Sequence, residues 1–92
     1  MTVGETFKKT WTTKVISSSG YSVRPLFPLG IEYSDSVGTI RLDSEASLAR
    51  GVDVTLFAGR IPDTEERPRE RVVANVVNAF KFAGWKLTVD EK

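Results

Sequence analysis

The side chains able to move protons or hold metals in these 92 residues are carboxylates, lysines and tyrosines, because the chain contains no histidine and no cysteine. Histidine alone has an ordinary pKa between about 5 and 8, so acid–base catalysis here would fall to a displaced carboxylate, lysine or tyrosine. Serine–histidine and cysteine–histidine nucleophile pairs are excluded. So are a disulfide framework and the common zinc sites built from Cys and His. Asp35, Asp43, Glu45 and Asp53 could meet in space, yet their spacing matches no calcium-binding loop, and turn or cap roles account for the first three. The seven glycines never fall as GxGxxG or GxxxxGK, so no phosphate-cradling loop is expected. The expectation is a non-enzymatic chain with no catalytic residues, no cofactor and no metal.

Charge is unevenly spread. The net charge is +1, but residues 1 to 24 carry +3, residues 25 to 66 carry −5 and residues 67 to 92 carry +3. If the first strand lies near the start of the main helix, Lys8, Lys14, Arg67, Arg69 and Arg71 could converge as phosphate contacts. The run "EERPRER" argues for a plainer role, since it alternates in sign, pairs Glu65 with Arg69 and sets Glu66 against Glu70. A net charge this small also disfavours a dedicated nucleic-acid binder. Protein, self or other, therefore ranks first as the partner, with nucleic acid as the alternative. No window approaches the roughly 18 apolar residues of a membrane span, and the start of the chain has lysines without an apolar h-region. A cytoplasmic, soluble product with no membrane partner is expected.

These residues must be positioned by one core, because two would each approach the roughly 40-residue size below which domains need staples. A single domain over 1–92 follows. "FKKTWTTKVI", residues 7 to 16, reads as a strand with Phe7, Trp11 and Val15 on one face. After the turn "SSSG", a second alternation places Tyr21, Val23, Pro25, Phe27, Leu29, Ile31 and Tyr33 on one face, giving a hairpin from residue 6 to 33. "TIRLD" is a short strand, and "SEASLARG" resembles one or two helical turns capped by Ser44 and stopped at Gly51. Residues 52 to 58 read as a central strand, with Phe57 opposite Val54 and Leu56. The main helix follows, with Pro68 in its first turn, a stripe of Val73, Val76, Val77 and Phe80 widened by Val72, Ala79 and Ala83, and Gly84 as its stop. "WKLTV", residues 85 to 89, closes a βαβ unit.

Pro25 and Pro28 have opposite parity, so a straight strand would lose an N–H donor on each side. "PLFP" is thus expected to bend or end a strand. Phe27 is expected to turn inward and Leu26 to be a scattered surface residue; the sharper alternative is an apolar knob of Leu26 and Phe27 with Tyr21, Tyr33 and Phe57 nearby. The expected architecture is α+β: a mainly antiparallel sheet of four to five strands, ordered β-β-β-short α-β-α-β, with one long C-terminal helix on one face. Such a sheet leaves apolar area for another molecule to cover. The functional expectation is a protein-interaction module: an accessory factor, inhibitor or structural subunit of a larger assembly, with a homo-oligomer as its simplest form.

Overall fold

A computed structural model describes residues 4–47 and 51–92. Among them are β1 (Phe7–Lys9), β2 (Val15–Ser17), β3 (Ser22–Pro25), β4 (Leu29–Asp35), β5 (Gly38–Ser47), β6 (Asp53–Phe57), α1 (Arg69–Ala83) and β7 (Lys86–Asp90). The strands lie side by side in sequence order. Neighbours from β1 to β6 are antiparallel, and β7 joins β6 in parallel, from Asp53 opposite Lys86 to Phe57 opposite Asp90. The expected antiparallel sheet of four to five strands is therefore corrected to a seven-stranded mixed sheet, curled into a half-barrel.

Three local features account for the difference. The run from Phe7 to Ile16 folds back on itself: Thr10 N–H donates to the Lys14 carbonyl at 2.8 Å, Thr13 N–H donates to the Thr10 carbonyl at 3.1 Å, and Thr13 sits at φ 63°. Lys9 then pairs with Val15, so the alternation continues across the turn and gives no sign of it. The second run breaks at "PLFP", as the prolines require: β3 ends at Pro25, a cis Phe27–Pro28 peptide follows, and β4 starts at Leu29 with a bulge before Ile31. The expected helix capped by Ser44 is instead the end of β5, with Leu42 and Ser44 inward and Asp43 and Glu45 outward. Ser44 is 4% exposed, and its hydroxyl accepts the Gly30 N–H at 3.1 Å, which satisfies the polar atom inside the sheet. The rest of that segment, residues 48 to 50, lies outside the described residues.

The βαβ unit forms where expected. Pro68 is the N-cap rather than a first-turn residue, and its carbonyl accepts the N–H groups of Arg71 and Val72. Gly84 ends the helix at φ 74°, a left-handed conformation that favours glycine. Trp85 N–H donates to the Phe80 carbonyl at 3.0 Å, and the indole meets the Phe80 ring edge-on at 5.5 Å. Val72, Val76, Ala79 and Phe80 are the buried part of the expected stripe, while Val73 and Val77 are half-buried at its margin.

Helix α1 touches β1, β2 and β3 from one end of the sheet and β7 from the other, so the sheet wraps around it. Val15, Val23, Ile31, Leu42, Val54 and Leu56, from β2 to β6, are buried in one core cluster with Val72, Val76, Ala79 and Phe80 of the helix. Each contributes about 1.5–3 kcal/mol of burial. The opposite, convex face is largely polar. Lys8, Ile16, Ser22, Ser34 and Thr39 form one row across β1 to β5, and Arg24, Glu32 and Arg41 form the next. Curling has closed the apolar side, and the broad uncovered apolar face expected of a flat sheet is absent among the described residues.

Candidate functional site

Of the exposed large apolar side chains, Trp11, Phe27 and Val37 stand at turns, Ile16 and Leu29 on strands and Phe82 in the last turn of α1. Trp11, at the tip of the β1–β2 hairpin, is 94% exposed. Its neighbours hold the tip in shape: the Thr10 and Thr12 hydroxyls share a 2.8 Å hydrogen bond. Below it, Phe7 stacks on Phe82 at 5.2 Å between ring centroids, and the Lys9 ammonium lies 5.7 Å from the Trp85 ring centroid. These two contacts fix β1 against the last turn of α1, with Trp11 projecting beyond them. Sequence periodicity places Trp11 on one face with Phe7 and Val15, and the structure instead turns it out to solvent. The missed signal was the threonine-rich "TWTTK", five residues that form a turn rather than extend the strand.

At the β3–β4 turn Phe27 is 42% exposed, whereas Leu26 is half-buried, so the expected arrangement of the two is reversed. Leu26 is held where its N–H donates to the Gly30 carbonyl at 2.9 Å. Phe57 is half-buried beneath Arg60, whose guanidinium lies 4.5 Å from the ring centroid. With Leu29 it borders a groove of about 450 Å³ on the convex face. The cations there are engaged: Arg60 lies 3.7 Å from Asp43, and Arg41 donates to the Leu29 carbonyl at 3.0 Å.

Tyr21 and Tyr33 lie in the core rather than on the surface, being 5% and 1% exposed and stacked on each other at 6.0 Å. Strand alternation turns both into the concave side, with Val23 and Ile31. Burial, and for Tyr21 the adjacent Glu5 carboxylate, pushes both phenol pKa values up. The Tyr33 hydroxyl bonds Asn75 at 2.9 Å. Ser17 and Glu5 hydrogen-bond to each other beside the Tyr21 hydroxyl, which has no partner of bonding geometry.

The five basic candidates do not form one surface. Arg67 is a structural residue: its Nε donates to Asp35 Oδ2 at 3.1 Å, and its Nη2 donates to Asp35 Oδ1 at 2.8 Å and the Gly38 carbonyl at 2.7 Å. Hydrogen bonding to Arg67 lowers the Asp35 pKa, and the reverse contact raises that of Arg67. Arg69 Nε donates to the Ile61 carbonyl at 2.7 Å, and Arg71 Nη2 to the Glu66 carbonyl at 2.7 Å. Lys8 is exposed on the convex row with Ile16, and Lys14 lies at the end of the hairpin turn.

The carboxylates do not gather either. Asp35 closes the β4–β5 turn by accepting the Val37 N–H at 2.9 Å, while Asp43 and Glu45 point outward from β5 rather than capping a helix. Among the described residues no group of three or more His, Cys, Asp or Glu is placed to hold a metal ion, and no helix is long and apolar enough to cross a membrane. No family model, curated protein or solved structure matches this chain.

Proposed function

We propose that this chain is a non-catalytic protein-interaction module, an accessory factor, inhibitor or structural subunit of a larger assembly, and that the β1–β2 hairpin tip is its binding element. The observation that carries this reading is Trp11, 94% exposed where no other large apolar side chain among the described residues exceeds 53%. Tryptophan is among the residues most enriched at the energetic centres of protein interfaces, because its burial removes a large rigid apolar surface from water. The hairpin also holds that side chain on a fixed support, which lowers the ordering cost of binding. Phe27 and Leu29 offer a second, smaller apolar contact.

Nucleic acid remains the second reading because Lys8, Lys9 and Lys14 surround the exposed indole in sequence, an arrangement on which an unpaired base could stack. Its weight is reduced by the engagement of Arg67, Arg69 and Arg71 within the fold. Affinity capture from the cells that make this protein, comparing the wild type with Trp11→Ala and repeating the capture after nuclease, tests both. A protein partner retained after nuclease and lost with Trp11→Ala is expected. Equal capture by both forms, or capture that nuclease abolishes, would overturn the reading.

A further inference from the structure

We propose that copies of this chain associate head to tail, with Trp11 of one copy seated in the groove beside the start of α1 on the next. The proposal rests on the interaction reading above and names the partner of the same hairpin tip. The groove has a volume of about 340 Å³, with a floor of Ala58, Val73 and Ala74 and acidic walls of Asp63, Glu70 and Glu91. Its one lining cation, Arg69, is turned to the Ile61 carbonyl at 2.7 Å. Neither Glu70 nor Glu91 has an ion-pair partner among the described residues.

The hairpin tip has the complementary character. Trp11 supplies the apolar knob, Lys9 and Lys14 flank its turn, and Glu5 is the only acidic residue before Glu32. Large aromatic side chains gain most from a small-residue floor that admits the ring, and opposite charge at the rim orients the approach. Position excludes a contact within one molecule. Phe7 on Phe82 and Lys9 on Trp85 fix the knob at the last turn of α1, whereas Glu70, Val73 and Ala74 place the groove at its first turns. Fifteen helical residues separate these ends by about 22 Å. Knob and groove are different patches, so the contact is heterologous, and each copy that binds exposes a fresh site of each kind.

Sedimentation velocity on purified full chain tests this. Wild type is expected to form species larger than a pair as concentration rises. Raising ionic strength from about 0.01 M to about 0.15 M should weaken them, since the screening length falls from roughly 30 Å to roughly 8 Å. Trp11→Ala loses the knob, and Glu70→Lys reverses the groove wall; each alone should remain monomeric. An equal mixture of the two should form one-to-one pairs and nothing larger, because Trp11→Ala keeps its groove and Glu70→Lys keeps its knob. Ala74→Arg, which fills the groove from an exposed position, should behave as Glu70→Lys does. Unchanged thermal unfolding of each variant confirms that the fold is intact. A monomeric wild type, or an assembling wild type whose two variants fail to pair, overturns head-to-tail association. The capture comparison on Trp11→Ala is independent of either result, so it separates failure of this contact from failure of the interaction reading.

Discussion

Arg67 and Asp35, 32 positions apart in sequence, meet through two side-chain hydrogen bonds of 3.1 and 2.8 Å with only 10% and 12% of their side chains exposed. The pair joins the β4–β5 turn to the segment that enters α1. Removing one partner leaves a desolvated charge behind, so Arg67→Met should cost about 3–5 kcal/mol. Replacing both residues with apolar ones should cost less than the two single changes together. Urea unfolding of the two single variants and the double variant checks this.

The same pair sets the acid response. Arg67 holds the folded-state pKa of Asp35 below its ordinary value, so the unfolded chain binds the proton more readily. The stabilisation is present above the ordinary carboxylate value of about 3.9 and is lost as pH falls through the lower folded value. Stability of the wild type should therefore drop in strong acid, and Asp35→Asn should flatten that part of the profile. Denaturant midpoints measured from neutral pH into acid provide the comparison.

At the alkaline end the sign reverses. Tyr21 and Tyr33, the only two tyrosines, have raised pKa values because burial opposes the phenolate. Their contribution to stability is full below the ordinary phenol value of about 10 and is lost as pH rises through the folded values. Phenolate absorbance should appear together with loss of circular dichroism. Titration of either phenol near its ordinary value in a folded chain would contradict the burial described above.

Gly30 combines a left-handed backbone with a crowded Cβ position. It lies at φ 98°, and an added Cβ would stand 2.5 Å from Arg41 Nε. Gly30→Ala should destabilise by about 1–3 kcal/mol through backbone strain, with further loss if Arg41 releases the Leu29 carbonyl. Gly4→Ala, with open space at its Cβ, is the control. Thermal unfolding of both variants distinguishes them.

What the sequence made legible follows from the kind of signal each feature carries. The α1 stripe, the Gly84 stop, the parallel β6–α1–β7 unit and the break at "PLFP" all rest on local chemistry, namely helical periodicity, left-handed glycine and proline's missing donor. Strand number was hidden because a hairpin turn can preserve alternation, as Lys9 opposite Val15 shows. Ser44 misled for a related reason: serine favours helix caps, but here a partner 14 residues away in sequence satisfies its hydroxyl. The curl was also invisible, since it depends on which ends of the sheet reach α1. That is why Tyr21 and Tyr33 looked available for binding and Trp11 did not.

The most direct measurement is photo-crosslinking in the cells that make the protein, with a photoreactive phenylalanine analogue in place of Trp11 and, separately, of the exposed Glu65. Protein adducts, self or other, should form from position 11 and be absent from position 65. No adduct from position 11, or the same adducts from both, would contradict the claim that the hairpin tip is where this chain is held.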